Sequence, residues 1–207
     1  MNPAIVYDCE TTGIPLFEQP SEDPRQPHIV QLAACLVDLD TRDTIASIDV
    51  IVRPDGWTIP DETAAVHGIT TDHAQRFGVS ESMAVGMLLE LWNEAEPRTR
   101  IAHNETFDAR ILRIALMRYE DAGLADRWKA APAKCTAKLA TPVMKLPPTE
   151  RMRAVGRNHF KTPNLGEAYR HFTGQQLDKA HRAIVDVQAC MAIFFAMQDA
   201  PAAKAAA

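Results

Sequence analysis

The chain has 207 residues, 46% of them apolar and 24% charged, and carries a net charge of −5 with its histidines neutral. That composition supplies a real hydrophobic core for one domain and excludes a low-complexity or disordered chain. No apolar run approaches the roughly 18 residues that mark a membrane-spanning helix, and the acidic balance argues against tight nonspecific binding along duplex DNA.

The N-terminus, Met-Asn-Pro-Ala-Ile-Val-Tyr-Asp, lacks the basic start and small-residue cleavage site of a secretory signal, so a cytoplasmic location without a membrane partner is expected. Cys9, Cys35, Cys135 and Cys190 form no Cys-x-x-Cys pair. Reduced thiols are therefore expected, rather than a zinc ribbon or a disulfide framework.

Residues 3–10 read as a short opening strand that Thr11-Thr12-Gly13 breaks. Residues 14–27 contain four prolines and several acidic residues, the composition of a surface loop. Strands are expected at 28–39 and 44–52, joined as a hairpin around Asp40-Thr41-Arg42-Asp43. From Pro60 to about Ala95 the pattern turns helical, with Ser80 as the cap of a helix that begins at Glu81. Arg100 to His103 is a short strand, Glu105 to Tyr119 a strong helix, and 134–145 a further helix. Residues 146–162 are basic and show no clear period. A short helix is expected over Pro163–Phe172, capped by Thr162, and a long one over His181–Gln198. Residues 1–200 thus read as a single domain and 201–207 as a flexible tail.

Three carboxylate-bearing segments stand out. Asp8 and Glu10 lie two residues apart on a strand and therefore share a face, with Cys9 on the other. Two carboxylates on one face repel unless a cation sits between them, and oxygen-rich sites suit Mg²⁺ or Mn²⁺. Asp-x-Glu is nevertheless a common triplet, and solvated charges at a strand end explain it as simply. Asp108 falls in a first helical turn, where acidic residues are favoured for structural reasons alone, and Asn104 is placed as a helix cap. Asp186 interrupts the apolar stretch Ala183 to Phe195, which is costly for a core-facing carboxylate without a partner. Five helical residues would set His181 and Asp186 about 140° apart, so both serve one site only if His181 precedes the helix.

The order and spacing of Val-Tyr-Asp8-Cys-Glu10-Thr-Thr-Gly, His103-Asn-Glu-Thr-Phe-Asp108 and His181-Arg-Ala-Ile-Val-Asp186 resemble the DEDDh exonucleases, the family of the proofreading subunit of bacterial replicative polymerases. Ala65-Val-His-Gly-Ile-Thr70 and Lys161-Thr-Pro-Asn-Leu-Gly-Glu-Ala-Tyr-Arg170 are similar to further family segments, and the likeness runs from about residue 4 to 197. It implies an α/β, ribonuclease-H-like fold, a mixed sheet covered by helices. It also implies removal of nucleoside 5′-monophosphates from single-stranded DNA or frayed 3′ ends by a mechanism with two Mg²⁺ or Mn²⁺ ions. Asp8 would bridge both ions, Glu10 and Asp186 would complete one site and Asp108 the other. His181 would be the general base, an imidazole being matched to neutral pH.

By the same resemblance the Thr11, Thr12, Gly13 turn contacts the terminal nucleotide. Phe107 either stacks on bases or fills core, and His67 and Asn104 line the pocket. An exoribonuclease acting on RNA tails or short oligonucleotides shares the whole catalytic set, and a noncatalytic binding module on the same fold is a third reading. The expected partners are single-stranded DNA or RNA 3′ ends, with a polymerase reached only in trans. Two departures stand out: the long 14–27 segment, and the basic run Lys145, Arg151, Arg153, Arg157, Lys161, which is either a solvated face or a phosphate contact. His28 starts a strand, and His73, His159 and His171 lack partners at ligand spacing and read as surface or core residues.

Overall fold

A computed structural model describes residues 1–178 and 180–199; the expected tail, 201–207, lies outside them. The chain opens with three strands, β1 (Pro3–Thr11), β2 (Ile29–Asp38) and β3 (Thr44–Ile51), then three helices, α1 (Asp61–His67), α2 (Thr71–Phe77) and α3 (Glu81–Glu94). There follow β4 (Thr99–Ala102), α4 (Glu105–Tyr119), α5 (Ala122–Ala130), β5 (Ala133–Cys135), α6 (Thr136–Met144), α7 (Glu150–Ala154), α8 (Leu165–Thr173) and α9 (Ala183–Asp199). One sheet runs in the order β3-β2-β1-β4-β5. β1, β2 and β3 pair antiparallel, whereas β4 joins β1 and β5 joins β4 in parallel.

The central strand shows why this sheet must be covered on both sides. Its run Ala4-Ile5-Val6-Tyr7 is buried throughout, the pattern of a strand between two layers. Ile5, Tyr7 and Cys9 pack towards Leu88 and Trp92 of α3, Leu112 of α4 and Trp128 of α5. Ala4 and Val6 pack towards Val187, Cys190 and Phe194 of α9. Trp128 meets Tyr7 edge-on at 5.3 Å and Trp92 at 5.1 Å, a geometry that aromatic quadrupoles favour. Since alternate side chains divide between the layers, Asp8 and Glu10 fall on the α9 side of the sheet.

Several boundaries differ from the sequence-based expectation. The short helix before the last motif begins at Leu165, and its cap is Asn164, not Thr162. Asn164 accepts from the Glu167 N–H while the Glu167 carboxylate accepts from the Asn164 N–H. That reciprocal box leaves two otherwise orphaned donors satisfied, an arrangement Thr162 is too far upstream to make. The expected helix at 134–145 is an edge strand of three residues followed by α6. Helices α5 and α7 were not anticipated, being short and weakly periodic. Ser80 caps α3 as expected, through the Met83 N–H. The four cysteines are free thiols, three of them buried. Among the described residues no helix is long and apolar enough to cross a membrane.

Candidate active site

Four segments meet at the C-terminal end of β1. Asp8 and Glu10 come from the strand itself. Asp108 projects from the first turn of α4, where its Oδ1 accepts the Cys9 backbone N–H at 3.1 Å. Asp186 sits one turn into α9 and is 7% exposed, so it does not face solvent. His181 precedes α9 and lies in the left-handed region, φ 67°, which few non-glycine residues adopt. That turn is pinned by its own N–H, which donates to Asp186 Oδ2 at 2.9 Å. Ligand atoms of Glu10, His181 and Asp186 lie within 4.8 Å of one another.

The electrostatics are those of a cluster lacking its counter-charge. Burial, then the neighbouring charges of Asp108, Asp186 and Glu10, hold the Asp8 carboxyl well above the usual range. Burial and the Asp186 charge push Glu10 up to about 7, against a smaller pull from Arg182. Burial raises Asp108 and Asp186 as well, opposed by the N–H groups of Cys9 and His181 respectively. None of the four carboxylates forms an ion pair among the described residues. Asp186 Oδ1 is buried with no hydrogen-bond partner among the described residues. An orphaned carboxylate oxygen costs several kcal/mol or takes up a proton. Oxygen donors of this kind fit a hard divalent cation.

The remaining predicted residues surround this cluster. Thr11 Oγ1 donates to the Gly13 carbonyl at 2.8 Å, and Thr12 Oγ1 accepts the His28 N–H at 2.9 Å, so the turn is tied to the start of β2. A Cβ at Gly13 would meet nothing within 4 Å; the fold itself does not require glycine there. His67 ends α1 and is 3% exposed. Its Nδ1 accepts the Ile69 N–H at 3.2 Å, which places the proton of the neutral ring on Nε2, and that nitrogen is buried without a partner. Burial and the charges of His181 and Arg182 lower its pKa and favour this neutral form.

Asn104 occupies the cap position of α4, but in the left-handed region and without a side-chain capping bond. The alternative of a simple capping role is not met: the side chain makes no capping bond, and the residue is exposed. Phe107 is half-buried against the α3–α4 core. In the basic run, Lys161 is paired with Glu167, while Arg153 and Arg157 are exposed.

One residue of this region escaped the sequence reading. Gln31 is 1% exposed in β2 and stands opposite Glu10 in register. Its Oε1 accepts the N–H of Ala183, the first residue of α9, at 3.3 Å, and its Nε2 donates to Asp49 at 2.6 Å. It ties the start of the last helix to the sheet. The available signal was a lone amide within the apolar run 29–37, a position where a polar group requires a partner.

Residues 5–194 match the profile of the RNase_T exonuclease family. The chain belongs to that family. None of the curated proteins matches it in sequence. Among solved structures it is similar to Escherichia coli exonuclease I in complex with a dT13 oligonucleotide, at 18% identity and a TM-score of 0.73 over 96% of this chain and 41% of that one. A moderately thermophilic exonuclease I from Methylocaldum szegediense gives 20% identity and a TM-score of 0.71 over 97% and 41%. A zinc-bound E. coli exonuclease I complex with single-stranded DNA gives 20% and 0.66 over 93% and 40%. The likeness establishes the ribonuclease-H-like fold expected of a DEDDh exonuclease. The chain spans about two fifths of the length of these structures.

Proposed function

We propose that the protein is a metal-dependent 3′→5′ exonuclease that removes nucleoside 5′-monophosphates from single-stranded DNA or frayed 3′ ends. The observation that carries this reading is the convergence of Asp8, Glu10, Asp108 and Asp186 without a paired cation among the described residues, with Asp186 Oδ1 left unpartnered by them. The four carboxylates would hold two Mg²⁺ or Mn²⁺ ions, with Asp8 shared between them. Such ions supply a hydroxide nucleophile and stabilise the extra negative charge of phosphodiester hydrolysis.

The rest of the chemistry falls to the chain. His181 is exposed beside Glu10 and Asp186, within reach of a water held at the cluster, and takes its proton as general base. The bond between its backbone N–H and Asp186 fixes the turn that carries the ring. His67, whose Nε2–H is buried, would reach the terminal nucleotide as a neutral donor after a local shift of the surrounding chain. The Thr11, Thr12, Gly13 turn admits that nucleotide where no side chain stands. The Asn104 amide and Phe107 flank it from α4, Phe107 offering a ring face to the last bases. DNA is favoured because two of the structural relatives named above were solved with DNA strands.

The test is cleavage of 5′-labelled DNA and RNA strands of matched sequence with Mg²⁺ or Mn²⁺, alongside Asp8→Ala and EDTA controls. A ladder shortening from the 3′ end, absent in both controls and faster on DNA, is the expected result. A faster RNA ladder would transfer the assignment to RNA ends. Binding without cleavage by either metal would make the fold a binding module here.

A further inference from the structure

The 14–27 segment is not the loose loop that its prolines suggest. Gln26, 2% exposed, accepts from the Leu16 N–H at 2.9 Å and donates to the carbonyls of Leu16 and Pro20. Arg110 donates to Ser21 Oγ at 2.7 Å and to the Gln19 carbonyl, and Arg118 to the carbonyls of Pro27 and Gln26. The segment is therefore a strap braced along α4. Between strap, helix and α5 runs a cleft of about 470 Å³, lined by Phe17, Thr106, Arg110, Arg113 and Lys129, with Glu22 and the Arg100–Glu105 pair at its wall.

Charge in this cleft is unevenly matched. Glu105 neutralises Arg100 at 2.9 Å, and the exposed Asp126 pairs with Arg113. Arg110 is held by neutral oxygens, and neither it nor the exposed Lys129 forms an ion pair among the described residues. Burial, and then the nearby charge of Arg113, lower the Arg110 pKa against a smaller opposing pull from Glu22. A preformed group of guanidinium and ammonium donors without its full complement of anions suits phosphate oxygens. Phe17, 53% exposed at its edge, adds a ring face on which a base of any identity can stack.

We propose that this cleft binds the phosphodiester backbone of a single strand upstream of the nucleotide being removed. The proposal rests on the exonuclease reading above. Placement supports it at both ends: the strap leaves β1 directly after Thr11-Thr12-Gly13, and Thr106 directly precedes Phe107 and Asp108. Helix α4 is about 10 Å across, so a strand must extend beyond its terminal nucleotides to reach from the carboxylates to the cleft. The cleft thereby makes affinity depend on strand length while leaving the chemical step untouched.

The test uses Phe17→Ala combined with Lys129→Glu, both exposed and outside the strap's hydrogen bonds, and separately Arg113→Gln. Three substrates are compared: the p-nitrophenyl ester of thymidine 5′-monophosphate, a trinucleotide, and a strand of about 20 nucleotides. In the double variant KM for the long strand should rise about tenfold, with kcat, trinucleotide KM and ester hydrolysis unchanged. The salt slope of long-strand binding, followed by fluorescence anisotropy in EDTA, should fall by about one for each phosphate no longer neutralised. An unchanged ratio of long-strand to trinucleotide KM, or an unchanged affinity and salt slope in EDTA, would overturn the cleft. A wild-type protein that hydrolyses neither ester nor strand overturns the exonuclease reading instead, and the anisotropy arm then decides the cleft alone.

Discussion

Two neighbourhoods of buried carboxylate in this molecule have opposite construction. Glu81, 4% exposed at the start of α3, accepts the Ile29 N–H at 2.9 Å and the Tyr119 hydroxyl at 2.9 Å. His28 Nδ1 lies 2.7 Å from it and Arg118 3.9 Å. Every lone-pair direction has an answer, and the group holds β2, α3 and α4 together. In the cluster Asp108 and Asp186 are buried and Asp8 and Glu10 half-buried, yet the carboxylates raise one another's pKa and, among the described residues, no cation is paired with them. Burial of a carboxylate is therefore no mark of function in this protein. The mark is burial of several carboxylates together without a pairing cation, which lowers stability unless something else supplies the missing charge.

The comparison can be broken most directly at Asp8. Asp8→Asn removes one of the repelling charges and keeps the shape. Nucleotide release should fall by about 10³-fold or more, while the thermal midpoint of the metal-free protein rises by about 2–4 °C for each kcal/mol of repulsion relieved. Loss of activity together with loss of stability would place Asp8 among the structural carboxylates. Glu81→Ala should show the reverse. Urea unfolding should reveal about 3–5 kcal/mol of lost stability, because one partner of a buried polar group is removed and the others are stranded. Activity of the molecules that remain folded should persist.

The pH dependence of stability sharpens the contrast. Glu10 titrates at about 7 in the fold against an ordinary 4.5, and Asp8, Asp108 and Asp186 are shifted in the same direction. Between those values these carboxylates bind more protons in the folded state than in the unfolded one, so their contribution to stability falls as pH rises, against a smaller opposite contribution from His67 and His103, whose pKa values burial lowers. Metal-free protein should lose on the order of 3 kcal/mol from Glu10 alone between about pH 4.5 and 7. Millimolar Mg²⁺ should reduce or reverse that slope at neutral pH, since ligand bound only by the folded state stabilises it. Melting curves in EDTA and in Mg²⁺ across this range measure both effects. The smallest expected change is Gln26→Ala. Losing the amide that braces the strap should cost about 1–3 kcal/mol and raise KM for long strands, with ester hydrolysis left intact.

Much of this architecture was legible in the chain itself. Alternation along residues 3–10 placed Asp8 and Glu10 on one face and Cys9 on the other, because a strand leaves side chains no third choice. Ser80 announced its helix through a hydroxyl suited to an N-terminal N–H, and the 140° separation of His181 from Asp186 required the histidine to precede the last helix. The order of the three motifs carried the family. Other features depend on contacts between residues far apart in the chain. Asp108 becomes a neighbour of Asp8 only when β4 pairs in parallel with β1 and delivers the start of α4 to the strand's end. Gln31 is a link to α9 only because 152 residues of chain return to it. The prolines of 14–27 predict a turn-rich loop, but its rigidity comes from Arg110 and Arg118, supplied by a helix whose own periodicity says nothing of what lies against it. Local propensity and pattern thus determined which elements form and which faces they bury. Whether a given carboxylate, amide or guanidinium finds its partner within the chain, or is left to find one outside it, was decided by the tertiary structure, because partner geometry is a property of packed elements and not of any segment alone.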